Sequence, residues 1–242
     1  MRLQTSAAAL SIALLATSLS AADLRLVNAV KNSDKAAVTS LLQQKVDVNS
    51  PEADGMTALH WAVRSDDLDT ADRLIKAGAN VKAANRYGVT PLSLACTTGN
   101  AAVVERLLAA GADPNGAYAD GETPLMTASR TGSAETIKAL IAHGANVKVR
   151  EHRKGQTPLM WAAAENNVAA IRALVEAGAD VNERSTGGSF TPYLFAVRAG
   201  HIDAARALID AGVDVNQSLP DGTSALVLAV VNAHYELAAA LL

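Results

Sequence analysis

Apolar residues along most of the chain fall into short helical segments that come in pairs and are separated by polar turns. A typical second segment, VVERLLAAG over residues 103–111, is apolar and ends on a glycine. Glycine suits the position just past a helix because it adopts the left-handed conformation without a Cβ penalty. Such glycines recur every 33 or 34 residues: Gly78, Gly111, Gly144, Gly178 and Gly212.

The first helix of each pair has its own start signal. A threonine or serine N-cap can accept a hydrogen bond from an orphan backbone N–H. Proline at the next position costs no helical hydrogen bond, because the N–H that it lacks has no partner within the helix. The start positions are also spaced by 33 or 34 residues: Thr57, Thr90, Thr123, Thr157, Thr191 and Ser224. A period near 33 predicts a solenoid, since stacked units bury faces that one unit cannot bury alone.

The segment DGETPLMTASRTGSAETIKALIAHGANV (residues 120–147) resembles an ankyrin repeat, and so do its neighbours. The resemblance covers residues 23–242 and implies an all-α solenoid of stacked helix-turn-helix units with short β-hairpin-like loops. It further implies a concave face, with partners docking on the hairpin tips and on exposed positions of the first helices. The repeats are expected at about residues 23–51, 52–84, 85–117, 118–151, 152–185, 186–218 and 219–242.

The two ends of the array depart from the pattern. Residues 24–49 fit the second half of a repeat but lack Thr-Pro and have Lys45 in place of the glycine, which predicts an N-terminal capping repeat. The last repeat stops inside its second helix, so we expect it to be incomplete or shortened. One alternative is that this chain is the docking portion of a larger exported enzyme or effector with its catalytic part beyond Leu242.

The first 22 residues predict a secretory signal peptide. Arg2 precedes an apolar stretch from Ala7 to Ala16 and a run of small residues, with a cleavage position after Ala21 or Ala22. The apolar stretch is shorter than the roughly 20 residues of a transmembrane helix. An uncleaved membrane anchor is the alternative. We therefore expect an exported protein, periplasmic or secreted, with no membrane span after cleavage.

Composition narrows the function. The net charge is −3 and becomes −4 without Arg2, which argues against a nucleic-acid partner because nucleic-acid binders are usually basic. The single cysteine, Cys96, rules out an internal disulfide and any multi-cysteine metal site. Cys96 occupies a helix position that takes small residues elsewhere, so we expect a buried, inert thiol.

No catalytic, cofactor-binding or metal-binding motif is found in the sequence. The five histidines fall at different places in the repeat. We expect His60 to bond the backbone of an adjacent repeat, His201 to be structural, and His152 to be the one histidine that faces a partner. The sequence thus predicts a non-catalytic protein-binding module; an enzymatic role for the chain itself and a toxin-like action on host proteins are the remaining alternatives.

The candidate binding residues are those that the repeat does not itself require. They include aromatic residues at two tips and a loose stripe of cations, two residue types that are enriched in interface hot spots. The candidates are Met56, Arg64, Arg86, Tyr87, Glu122, Arg130, Arg153, Lys154, Gln156, Glu165, Phe190 and Arg198. They suit a protein partner with an acidic or mixed-charge segment. Trp161 is expected to pack between repeats, with an N–H that needs an acceptor if it is buried.

Overall fold

The computed structural model describes residues 23–242, and the signal peptide predicted over residues 1–22 lies outside the described residues. The described part of the chain forms fourteen α-helices and contains no β-strand; a single isolated bridge pairs Ser218 with Ser224. The predicted all-α class is confirmed.

The helices form seven successive pairs. The first helices of the pairs are α1 (Arg25–Lys31), α3 (Ala58–Arg64), α5 (Pro91–Thr98), α7 (Pro124–Thr131), α9 (Pro158–Ala164), α11 (Pro192–Ala199) and α13 (Ala225–Val231). The second helices are α2 (Lys35–Gln43), α4 (Leu68–Lys76), α6 (Ala101–Ala109), α8 (Ala134–Ala142), α10 (Val168–Glu176), α12 (Ile202–Asp210) and α14 (Tyr235–Ala240). Each first helix packs against its own second helix, and the first helices from α1 to α11 also pack against the first helix of the next pair, so the pairs stack in chain order.

Side-chain caps start the first helices at the predicted positions. In five repeats the cap hydroxyl accepts a hydrogen bond from the backbone N–H three residues later, which satisfies one orphan donor of the helix. These caps are Thr90, Thr123, Thr157, Thr191 and Ser224. At Thr57 the backbone N–H itself donates to Nδ1 of His60, 3.2 Å away.

Left-handed backbone turns end the second helices. Gly111 has a φ of +92°, and a Cβ added there would meet nothing within 4 Å, so the backbone angle alone explains the glycine. Lys45 takes the corresponding place after α2 with a φ of 54°. The first pair therefore makes the same left-handed turn without a glycine.

The core is a row of equivalent side chains between the stacked helices. The second residue after the cap is Leu59, Leu92, Leu125 or Leu159 in repeats two to five, and each is at most 1% exposed. Tyr193 takes this place in the sixth repeat, and its burial raises its pKa to about 12. Burying each such side chain contributes about 1.5–3 kcal/mol to folding.

Helix α13 has a stacking partner on one side within the described residues. Val227, Val230 and Val231 on this helix are 48%, 47% and 76% exposed. In repeats two to six the residues equivalent to Val227 are at most 3% exposed, because the first helix of the following repeat covers them. Val227 and Val230 therefore form an apolar face of α13 that is interior elsewhere in the array, whereas the positions equivalent to Val231, such as Arg64 and Arg130, are exposed.

One loop position has the same geometry in six repeats. Its aspartate or asparagine accepts a hydrogen bond from the backbone N–H two residues later, so this position serves loop structure. The six residues are Asp47, Asn80, Asp113, Asn146, Asp180 and Asp214. Asn115 also links neighbouring repeats, because its side chain donates to Gly144 O at 2.9 Å and accepts from Asn146 N at 2.8 Å.

Candidate functional site

The loops that precede the first helices are tight turns, which we call tips and number by repeat. In the second tip the backbone N–H of Glu52 donates to the carbonyl of Met56 at 2.8 Å. In the fifth tip the equivalent bond runs from Glu151 to Gln156 at 3.0 Å and encloses one more residue. The extra residue changes what the acidic side chain at the start of the tip can reach.

Backbone hydrogen bonds join several neighbouring tips. Arg86 N donates to Asp54 O at 2.9 Å, His152 N to Asp120 O at 2.7 Å, and Gly187 N to Lys154 O at 2.9 Å. These bonds fix the relative positions of side chains from adjacent repeats. We call the tips together with the C-terminal turns of the first helices the tip surface.

Two groups of predicted binding residues pair an arginine with aromatic rings on the tip surface. The guanidinium carbon of Arg198 lies 4.7 Å from the ring centre of Phe190 and 4.9 Å from that of Phe195. Arg86 lies 4.9 Å from the ring of Tyr87, which is 66% exposed. Cation–π contacts at such exposed sites contribute about 0.5–1 kcal/mol each.

The third group surrounds a cavity of about 230 Å³ between the fourth and fifth tips, which we call the tip cleft. Arg130 lies over the ring of Trp161 at 5.6 Å, and its guanidinium is 3.5 Å from Glu122. Arg153, with a side chain 78% exposed, is 4.0 Å from Asp120. The lining residues of the cleft are Asp120, Glu122, Glu151, Arg153, Lys154, Gln156 and Trp161.

Glu151 is the buried carboxylate of the tip cleft. It is 7% exposed and accepts backbone hydrogen bonds from Arg153 at 2.6 Å, Lys154 at 2.7 Å and Gln156 at 2.9 Å. Burial raises the pKa of Glu151, but these N–H donors outweigh that effect and hold it below its ordinary value. Glu151 is therefore a charged group whose two oxygens both accept hydrogen bonds from its own tip.

A second tryptophan site was not predicted from the sequence. Trp61 Nε1 donates to Glu52 at 2.5 Å, while Lys31 pairs with the same carboxylate at 2.9 Å and lies 4.4 Å from the indole ring. Arg64, a predicted binding residue, lies over the ring at 5.1 Å. The signal for this site was the alignment of Trp61 with Trp161, which marks the same position in two repeats.

The remaining candidates differ in exposure. Met56 is only 5% exposed, and its sulfur is 3.6 Å from Asn85 Nδ2 in the next tip. We predicted this side chain on the surface, but it lies in the interior. Glu165 is exposed just after α9. The predicted cationic stripe is divided: Arg153 and Lys154 line the tip cleft, and the other arginines lie against separate aromatic rings.

The histidines are mostly structural. The ring of His60 is 0% exposed and its Nε2 is 3.1 Å from Val89 O in the next repeat, which confirms the predicted bridge. Nε2 of His201 is likewise 3.0 Å from Ala164 O in the preceding repeat. His152 is exposed on the fifth tip, as a partner-facing residue must be.

The thiol of the single cysteine is buried. Cys96 is 0% exposed and its burial raises the thiol pKa to about 12, as expected for an inert cysteine. Across residues 23–242 no group of three or more histidine, cysteine or acidic side chains is placed to hold a metal ion.

A larger groove of about 760 Å³ lies between the second helices α4 and α6. Its floor includes Leu68, Ala102 and Ala109, and an ion pair between Arg106 and Asp72 crosses it. None of the predicted binding residues lines this groove.

Comparison with known proteins identifies the family to which the chain belongs. The family profile described as ankyrin repeats (3 copies) matches residues 26–117 and 115–185, and the single ankyrin repeat profile matches residues 189–218. The chain therefore belongs to the ankyrin repeat family. Ankyrin repeats generally mediate protein–protein interaction, and the fold is typically a non-catalytic module.

A solved structure shares the architecture. The crystal structure of the human ASB11 ankyrin repeat domain is similar to this chain, with 29% identity and a TM-score of 0.75 over 88% of this chain and 96% of that domain. A search of curated proteins returns no match. Among the helices formed by residues 23–242, none is long and apolar enough to span a membrane.

Proposed function

We propose that this chain is an exported, non-catalytic protein-binding module that recognises its partner through the tip surface. The observation that carries the proposal is the clustering of arginine and aromatic side chains there, where the repeat itself requires neither. Both residue types are enriched at interface hot spots. The tips are held by backbone bonds such as His152 N to Asp120 O, so little ordering is required when a partner binds.

The charge pattern favours a partner with an acidic or mixed-charge segment. Arg86, Arg130, Arg153 and Arg198 are all exposed on the tip surface, although the chain as a whole is acidic. Complementary charge at exposed positions steers encounter and selects partners more than it adds affinity. The net charge of −3 also disfavours a nucleic-acid partner.

Reversing two charges at the tip cleft should weaken partner capture. The double variant Arg130→Glu and Arg153→Glu is expected to lose about tenfold or more in affinity, because two exposed cations become like charges to an acidic segment. Its thermal midpoint should stay close to that of the wild type, since exposed ion pairs contribute about 0–1 kcal/mol. Affinity capture from the native compartment with mass spectrometry identifies the partner, and titration of that partner measures the loss.

The matched control reverses two exposed arginines on second helices, Arg172→Glu and Arg206→Glu, which changes the net charge equally. This control should capture the partner as the wild type does. Equal loss in both double variants would show a bulk charge effect, and no loss in either would move the binding site away from the tip cleft.

Export is proposed from residues 1–22 alone. A variant lacking these residues should fold and remain in the cytoplasm, whereas the full chain should be exported and begin at Asp23 or Ala22. Cell fractionation followed by intact-mass measurement of the recovered chain checks both points. Retention of the full chain in the cytoplasm at its uncleaved mass would contradict the export proposal.

A further inference from the structure

The two tryptophans occupy the same position in repeats two and five, so the surroundings of their indole rings can be compared within one chain. At each, a cation from the C-terminal turn of the preceding repeat's first helix lies over the indole ring: Lys31 over Trp61 at 4.4 Å, and Arg130 over Trp161 at 5.6 Å. At the first site the carboxylate of Glu52 bridges the two, because it contacts both Lys31 and the indole N–H.

The bridging carboxylate is missing at the second site. Nε1 of Trp161 is buried and has no hydrogen-bond partner among the described residues. Glu151 starts the fifth tip as Glu52 starts the second, but three backbone N–H groups of its longer tip occupy its oxygens. Glu122 is engaged by the hydroxyl of Thr127 at 2.8 Å. An indole N–H in this setting needs an acceptor from elsewhere.

We propose that an acidic side chain of a protein partner enters the tip cleft and, once a side-chain movement uncovers the buried Nε1 of Trp161, bridges it and Arg130, as Glu52 bridges Lys31 and Trp61 Nε1. This inference rests on the proposed function and names the chemical group that the tip surface recognises. The cleft volume of about 230 Å³ suits one side chain and not a folded element. The partner therefore contributes a single aspartate or glutamate at this point.

Three of the seven lining residues of the cleft are acidic and two are cations, so an incoming carboxylate depends on the cations of this chain. Arg153 and Lys154 are exposed and line the cleft, Arg130 lies over the ring of the lining residue Trp161, and each acidic lining residue already has a donor of this chain. The contact of Arg130 with Glu122 is long at 3.5 Å, so Arg130 can turn to an incoming carboxylate while Thr127 retains Glu122. Charge-assisted bonds to such a carboxylate are about twice as strong as neutral ones.

The free protein gives the first test, through matched tryptophan-to-phenylalanine variants that keep a ring and remove the N–H. Trp61→Phe should lower the thermal midpoint, because Glu52 loses its indole donor. Trp161→Phe should leave the midpoint unchanged or raise it, because no bond is lost. Equal destabilisation by both variants would show that Trp161 Nε1 has an acceptor inside the chain and would overturn the proposal.

The second test measures binding with peptides selected from a displayed library of short random sequences. Selected peptides should contain an aspartate or glutamate whose exchange for asparagine or glutamine weakens binding by about tenfold or more to the wild type. The same exchange should have less than about a threefold effect on binding to Trp161→Phe combined with Arg130→Gln, because the carboxylate then has nothing to bridge. In nitrogen-labelled protein, the indole N–H resonance of Trp161 should shift on binding and that of Trp61 should not.

The outcomes separate this inference from the proposed function. An acid dependence that is the same in the wild type and in the double variant would overturn the bridging role while leaving the tip surface as a binding site. Selected peptides that bind without any acidic residue would do the same. If the Arg130→Glu and Arg153→Glu changes weaken the binding of no selected peptide, the tip cleft is not the binding site, and both the proposed site and the inference are wrong.

Discussion

Replacing Leu125 with alanine is expected to lower the free energy of unfolding by about 2–5 kcal/mol. Leu125 is 1% exposed in α7, in the middle of the stack, where repeats on both sides hold the cavity open. Because neighbouring repeats stabilise one another, the loss is shared across the array and should appear as a lower denaturation midpoint. Chemical denaturation followed by circular dichroism measures this shift.

The array supplies a control for this change at an equivalent position. Leu226 stands two residues after its cap as Leu125 does, but in α13 it is only half-buried because no described repeat covers that face. Leu226→Ala should therefore lower the free energy of unfolding clearly less than Leu125→Ala does. Equal costs at the two positions would mean that stacking between repeats does not determine the stability of this core.

Replacing His60 with alanine is expected to cost about 2–4 kcal/mol at pH 8, from the cavity and from lost hydrogen bonds. A backbone N–H can only donate, so Nδ1 of His60 accepts from Thr57 N. The ring proton is then on Nε2, which donates to Val89 O in the next repeat. One neutral ring thus both caps α3 and ties it to the third tip.

This arrangement makes stability depend on pH in a defined direction. Burial lowers the pKa of His60, although the bond to Val89 and the charge of Asp54 oppose the shift. The stabilising contribution is full above the ordinary histidine pKa of about 6.5 and is lost as the pH falls, because the unfolded chain then binds a proton that the folded chain resists. Between pH 8 and pH 5 the denaturation midpoint of the wild type should decline.

The control for pH is His60→Met, since methionine occupies this position in repeats four and five as Met126 and Met160. Met160 also shows that a thioether can accept from the cap backbone, with its sulfur 3.4 Å from Thr157 N. The denaturation midpoint of His60→Met should decline less than that of the wild type over the same pH range. An identical decline would assign the pH dependence to other groups.

The fold could be predicted because its determinants are local and recur in phase. A hydroxyl at Thr90 or Thr123 caps the helix that follows it, and Gly111 adopts a left-handed angle that the chain needs at that point. Each feature depends on a few adjacent residues. Their fixed spacing then determines how successive units stack, so local signals were enough to predict the architecture.

The details of the binding surface depend on contacts between repeats and were harder to predict. Met56 adjoins a turn and was expected to be exposed, but it is buried and its sulfur contacts Asn85 of the next tip. The sequence also did not predict that Trp61 has an acceptor and that Trp161 has none. The available signal was the spacing of 34 from Thr123 to Thr157, which places an additional residue in the fifth tip.

The open apolar face of α13 affects how the array comes apart. An internal pair such as α7 and α8 is held by neighbours on both sides, whereas α13 and α14 have one neighbouring pair in the described structure. Opening this pair exposes less newly wetted apolar surface, because Val227 and Val230, whose equivalents are buried in repeats two to six, already meet solvent. Within residues 23–242, the amides of α13 and α14 should therefore exchange with deuterium faster than those of α7 and α8.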